Sequence, residues 1–206
     1  MCGTTRLKDA EYAVALGVDA LGFIFVKKSP RCISRECAAS IIRALPPFIT
    51  PVGVFVDSPV EEIKDIVKGC GLTQVQLHGN EEPPFCAELK RWNRGLSICK
   101  AFRLGVGHVP DSIDSYSSMV DSILLDTWIK GVAGGTGRPF DWDLVHALAL
   151  SRPLILAGGL NPDNVVTAIR AVSPYAIDIN SGVEEAPGIK DHQLLRSLVQ
   201  RVRAAE

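Results

Sequence analysis

The sequence predicts an α/β protein, a (β/α)8 barrel, on three observations. Seven short apolar runs recur along 206 residues, their spacing is near-regular, and each is followed by a segment that reads as a helix. The runs cover residues 21–25, 52–56, 75–77, 98–102, 123–126, 154–157 and 176–179, with ends 31, 21, 25, 24, 31 and 22 residues apart. That step fits one strand, one crossover helix and two loops. Continuous rather than alternating apolar runs suit strands buried on both faces, as in parallel sheets.

The helices between them carry their own signals. Ser34 caps a segment bearing Ala38, Ile41, Ile42 and Leu45, halted by Pro46-Pro47. Ser58, Pro59 and Glu61 supply an N-cap, a first-turn proline and a capping-box acid ahead of Ile63, Ile66 and Val67, and Gly69 offers a stop. Residues 82–92 form a fair helix, whereas 104–119 carry the weakest helical signal. Asn161-Pro162 opens a segment with Val165, Ala168, Ile169 and Val172, and Leu194, Leu195, Leu198 and Val202 make the stripe of the last helix.

An open doubly wound sheet shares these units, but a dinucleotide-binding one should show Gly-x-Gly-x-x-Gly after its first strand. The nearest match, at 134–137, sits mid-chain and opens no convincing helix. A barrel needs eight strands. Stepping back from residue 25 ends the missing one at Met1-Cys2, so strand 1 is expected to be missing or truncated. Its two neighbours would then be left with unpaired edges, and Cys2 on a fraying terminus.

Bulk composition narrows the function classes. A single domain over 1–206 is expected, with 47% hydrophobic residues and a net charge of −1. Scattered Lys and Arg argue against nucleic acid and anionic membranes as partners, and no apolar run approaches a membrane span. Six cysteines without Cys-x-x-Cys spacing suggest buried thiols in a reducing compartment, the cytoplasm.

Chemistry is concentrated at the ends of the runs. Asp126 closes one of them, ahead of a glycine-rich segment at 131–142 able to cover it; a turn cap is the alternative. Gly158-Gly159 and Ser181-Gly182 follow the last two runs, where barrels usually grip phosphate, although tight turns also need glycine. Arg31 offers a fork for a carboxylate, or is a solvated loop cation. Gln76 and His78 flank Leu77 and so share one side, either lumen or core, and Asp178 faces the same choice. Cys2 stands just before Gly3-Thr4-Thr5; placed at a helix start, its thiol would have a lowered pKa.

These residues stand in Cys2-Gly-Thr-Thr, Lys28-Ser-Pro-Arg31, Val75-Gln-Leu-His-Gly79, Leu124-Leu-Asp126, Ala157-Gly-Gly-Leu-Asn-Pro162 and Asp178-Ile-Asn-Ser-Gly-Val-Glu184. In that order and spacing the chain resembles the phosphoribosylanthranilate isomerases of tryptophan biosynthesis from Cys2 to the last helix. The resemblance implies a barrel that converts N-(5′-phosphoribosyl)anthranilate to 1-(2-carboxyphenylamino)-1-deoxyribulose 5-phosphate, an Amadori rearrangement with neither cofactor nor metal. It implies Cys2 as general base, Asp126 as general acid, Arg31 as carboxylate clamp, and Gly158, Gly159, Ser181 and Gly182 as phosphate cradle. Gln76, His78 and Asp178 are expected to line the substrate pocket. Such chemistry asks for a raised pKa at Asp126 and a lowered one at Cys2. Monomer and homodimer both fit. The competing readings are another phosphate-gripping barrel enzyme, such as an epimerase or a lysine-dependent synthase, and an inactive or weakly active phosphosugar-binding barrel without strand 1.

Overall fold

The computed structural model describes residues 1–104, 113–126, 145, 148 and 150–205. Helix α1 (Leu7–Ala15) leads into β1 (Ala20–Ile24), and helices and strands alternate as far as β4: α2 (Arg35–Ala44), β2 (Thr50–Phe55), α3 (Val60–Cys70), β3 (Gln74–Leu77), α4 (Pro83–Trp92) and β4 (Ser97–Arg103). Then β5 (Ser122–Asp126), β6 (Leu154–Ala157), α5 (Val165–Val172) and β7 (Ala176–Ile177) follow. An antiparallel ribbon of β8 (Glu184–Ala186) and β9 (Ile189–Lys190) precedes the last helix, α6 (His192–Arg203). The seven main strands pair in chain order, every pair parallel. A doubly wound sheet reverses its order at a switch point, whereas a barrel does not.

Residues 1–4 close the gap between β1 and β7, which corrects the expectation of two unpaired edges. On one side the Gly22 N–H donates to Met1 O at 2.8 Å and the Thr4 N–H to Gly22 O at 2.9 Å. On the other, the Cys2 N–H donates to Ile179 O at 2.8 Å. Strand 1 is thus a stub, bonded to both neighbours, and Cys2 is 6% exposed rather than fraying. Gly22 makes room for it, since a β-carbon there would lie 3.0 Å from Cys2 Sγ and 3.1 Å from its Cα.

Alternation along the strands separates two apolar layers. Phe23, Phe55, Leu77, Ile98, Ile123, Leu125 and Leu156 belong to the large core that packs under the helices, joined there by Ile63, Leu89 and Leu195. Phe23 and Phe55 are fully buried, and truncation of either to Ala costs roughly 3–5 kcal/mol. The opposite phase fills the lumen with small side chains, Cys99, Ala101 and Ala157 with Leu124. The phase that holds these in the interior also carries Gln76 and Asp126 into it.

Local details shift from the sequence expectations. Ser34 caps α2 as expected, accepting the Cys37 N–H at 3.2 Å. In α3 the N-cap is Pro59, with no side-chain cap bond, and not Ser58. Gly69 lies inside α3; the stop is Gly71, whose φ of +73° is the left-handed conformation a helix end requires. Helix α5 starts at Val165, because Asn161 Oδ1 instead caps the preceding turn, accepting from the Asp163 and Asn164 N–H groups at 2.8 and 3.2 Å. Of the helix expected at 104–119, residues 113–116 form a 3-10 turn and 105–112 lie outside the described residues. The six thiols are free, with Cys2, Cys70, Cys86 and Cys99 buried and Cys32 and Cys37 exposed.

Candidate active site

A cavity of about 450 Å³ opens at the carboxyl ends of the strands. Cys2 and Asp126 both line it, as do Arg31, Gln76, His78 and Asp178. So do Gly158 and Gly159 from the loop after β6 and Ser181 and Gly182 from the loop after β7. Sequence order scatters these residues over 180 positions; parallel strands of one barrel bring their ends to one rim.

Gln76 and His78 project on the same side of β3, as their spacing requires. Gln76 Nε2 lies 3.3 Å from His78 Nδ1. An amide N–H is a donor, so this contact makes Nδ1 the acceptor and leaves the proton on Nε2. That nitrogen is buried and stands 3.6 Å from Asp126 Oδ2, too long for a hydrogen bond. Both side chains are 19% exposed. The segment at 131–142, expected to cover Asp126, lies outside the described residues.

The two glycine loops touch one another. Gly158 and Gly159 adopt φ values of +98° and +63°, and the Gly159 carbonyl accepts from Asn164 Nδ2 at 3.0 Å. Gly182 sits so close to the Leu160 carbonyl oxygen that a β-carbon would overlap it. Ser181 opens a 3-10 turn that ends at Val183. Backbone N–H groups at such turns suit an anion.

The expectation of a lowered pKa at Cys2 is corrected. Burial pushes the thiol up to about 12, the Asp178 carboxylate adding to the rise and the Met1 and Lys190 ammonium groups opposing it. The assumed helix start is also absent: Gly3 has φ +72°, and α1 begins only at Leu7, beyond an extended Arg6. The helix that follows Cys2 thus offers the sulfur no N-terminus to favour thiolate. Burial likewise raises the Asp178 carboxyl.

Some side chains of the site were not singled out in the sequence. Ser29, Arg103 and Asn180 also line the cavity. Glu184 and Lys190 stand behind Arg31 in an ion-pair network, through contacts 153 and 6 residues apart in sequence. Lys100, the lysine a synthase reading would need, takes the strand phase opposite to Cys99 and Ala101. It is buried against Glu81 Oε2 at 3.1 Å and does not line this cavity. Among the described residues no three His, Cys, Asp or Glu side chains form a metal-holding group, and no helix is long and apolar enough to cross a membrane.

Comparison with known proteins agrees along nearly the whole chain. Residues 1–201 match the family model for N-(5′-phosphoribosyl)anthranilate (PRA) isomerase. The N-(5′-phosphoribosyl)anthranilate isomerase of Pseudomonas fluorescens strain Pf0-1 is 47% identical over 98% of this chain and 97% of its own. That of Pelobacter propionicus is 46% identical over 97% and 92%. Among solved structures, phosphoribosyl anthranilate isomerase from Thermotoga maritima superposes with a TM-score of 0.88 at 39% identity, over 99% of this chain and 97% of that one. Another phosphoribosyl anthranilate isomerase, solved in complex with reduced 1-(o-carboxyphenylamino)-1-deoxyribulose 5-phosphate, gives 0.84 at 37% identity, over 98% and 96%. With this barrel topology and this cavity, the chain belongs to the N-(5′-phosphoribosyl)anthranilate isomerase family.

Proposed function

We propose that this chain isomerises N-(5′-phosphoribosyl)anthranilate to 1-(2-carboxyphenylamino)-1-deoxyribulose 5-phosphate, a step of tryptophan biosynthesis carried out in the cytoplasm. The supporting observation is that Cys2, Asp126, Arg31 and both glycine loops line one cavity in a chain of this family. The phosphate rests on Gly158, Gly159, Ser181 and Gly182, and the anthranilate carboxylate on Arg31, so that the ribose is held by its two anionic ends. Gln76, His78 and Asp178 border the sugar.

Asp126 donates a proton to the ribose ring oxygen, the ring opens, and C1′ becomes an iminium. Cys2 then removes the proton from C2′, and the resulting enolamine tautomerises to the ketone. The buried thiol is a poor base alone, because the Met1 and Lys190 ammonium groups only partly offset the loss of hydration on ionising. The iminium of the ring-opened substrate adds a further cation: an opposite charge a few ångströms away favours thiolate. Deprotonation at Cys2 is thereby tied to ring opening.

The test is direct. Phosphoribosylanthranilate generated in situ loses its fluorescence when the full chain is added, and Cys2→Ser slows that loss by ~10²-fold or more, the usual worth of a positioned base. A pure, folded chain that leaves the fluorescence at its background rate overturns the proposal.

A further inference from the structure

Arg31 is held from behind. Its Nε donates to Glu184 Oε1 and Oε2 at 3.0 and 2.9 Å, and its Nη2 donates to Oε2 at 2.6 Å. The Glu184 side chain is 4% exposed and that of Arg31 20%. Glu184 Oε1 also accepts the Gly188 N–H at 3.1 Å and Lys190 Nζ at 3.0 Å. Lys190 is itself fully buried, and its ammonium donates further to Asn180 O and Oδ1 at 3.2 and 3.0 Å. The ammonium has three protons and three acceptors, so nothing in this support is left loose.

A guanidinium presents two bidentate edges. Glu184 occupies the Nε–Nη2 edge, and the Nη1–Nη2 edge remains for another carboxylate in the cavity that Arg31 lines. The charge count points the same way. The hydrogen-bonded cluster holds two cations, Arg31 and Lys190, against one anion, Glu184, and a ligand carboxylate supplies the second anion. Gly3 extends the support to the chain beside Cys2: a β-carbon there would lie 2.6 Å from Asn180 Oδ1 and 2.9 Å from Arg31 Cδ.

We infer that Glu184 is a positioning residue for substrate carboxylate recognition, fixing the Arg31 fork so that its second edge faces the cavity, with Lys190 and Asn180 holding Glu184 in turn. This rests on Arg31 being the carboxylate clamp of the proposed function. Two other roles give different signs. A Glu184 that competes with substrate for Arg31 lowers KM when neutralised, and a purely structural Glu184 changes stability and leaves KM alone.

The experiment compares full-length wild type, Glu184→Gln, Arg31→Ala and the double variant by steady-state kinetics. Inhibition by reduced 1-(o-carboxyphenylamino)-1-deoxyribulose 5-phosphate is measured beside that by its anilino analogue lacking the carboxylate. Glu184→Gln is expected to raise KM by ~10-fold, as for groups coupled in one ion-pair network, with kcat within about threefold. It should weaken the carboxylated inhibitor and spare the anilino one, and add nothing to Arg31→Ala. If Glu184→Gln alone does not fold, Glu184→Gln with Lys190→Met removes both buried charges together and is read the same way. An unchanged or lowered KM in the folded variant overturns the inference while the clamp stands. A wild-type KM in Arg31→Ala removes the clamp reading itself.

Discussion

His78 Nε2 stands 3.6 Å from Asp126 Oδ2, with Gln76 holding the opposite ring nitrogen. The distance is too long for a hydrogen bond, and both groups line the same cavity. If Asp126 delivers the proton to the ring oxygen, Asp126→Asn keeps the shape and removes the acid. The expected loss in kcat is ~10²–10⁴-fold with little change in product-analogue affinity. His78→Asn should act more mildly, lowering kcat by ~10-fold. An Asp126→Asn enzyme within a few fold of wild type would remove Asp126 from the mechanism.

The buried thiols predict weakness in alkali. Burial pushes Cys86 to about 11 and Cys2 and Cys99 to about 12, from an ordinary 9.0. The unfolded chain releases these protons near pH 9, while the folded chain holds them two to three units longer. Their stabilisation is therefore complete below pH 9 and lost as the pH rises from 9 to 12. For Cys99 alone the upper bound is roughly 4 kcal/mol. Tm should fall more steeply over that range in wild type than in Cys86→Ala/Cys99→Ala. Parallel curves would show that other groups set the alkaline limit.

Asp9 ties the two ends of the chain together. Its carboxylate is fully buried and accepts from Arg6 Nε and Nη2 at 2.8 and 2.9 Å and from the Lys190 N–H at 3.2 Å, with His192 Nε2 at 2.9 Å. Burial pushes the carboxyl up, but the hydrogen bonds from Arg6, His192 and Lys190 outweigh it and hold it below the ordinary 3.8. The stabilisation is present above pH 3.8 and lost as pH falls through the lower folded value. Asp9→Asn should cost roughly 3 kcal/mol at pH 7, the toll of breaking a buried ion pair, and a urea titration reads it. At a pH where both states are protonated the gap between variant and wild type should shrink; a gap independent of pH would assign Asp9 a packing role only.

Parts of this architecture were plain in the residues and parts were not, for physical reasons. Strands buried on both faces must be apolar throughout, so seven runs located the seven strands to within about two residues. Asp126 could be placed at the end of its run, and Gln76 and His78 on one shared side of theirs, because strand phase fixes relative direction. Whether that side was lumen or core depended on the closed fold. What stayed hidden depends on contacts between distant segments. The β8–β9 ribbon is short and mostly polar, and Lys190 becomes a buried partner of Glu184 only once that ribbon turns back. Cys2 looked like a low-pKa thiol because a helix was assumed to start at Gly3; the left-handed Gly3 and extended Arg6 delay it to Leu7. Asp9 did leave a trace, being a carboxylate beside Ala10 and one turn from Ala13 on the buried face of α1.

The two glycine loops make a prediction that separates torsional freedom from space. At Gly159 a β-carbon meets nothing within 4 Å, but φ is +63°. Alanine there costs only the left-handed conformation, about 1 kcal/mol, and leaves the loop where it is. At Gly182 a β-carbon would overlap the Leu160 carbonyl oxygen and lie 2.8 Å from its carbon and 3.0 Å from Asn161 Cβ. These are backbone atoms and a short side chain, so the loops after β6 and β7 must separate to admit it. If the two loops together hold the phosphate, Gly182→Ala should raise KM by ~10-fold or more and weaken inhibition by inorganic phosphate in proportion, as a displaced anchor does. Gly159→Ala should lower Tm slightly and keep KM within about threefold. Equal KM effects from the two substitutions would mean that glycine's conformational freedom, and not the close approach of the loops, forms the anion site.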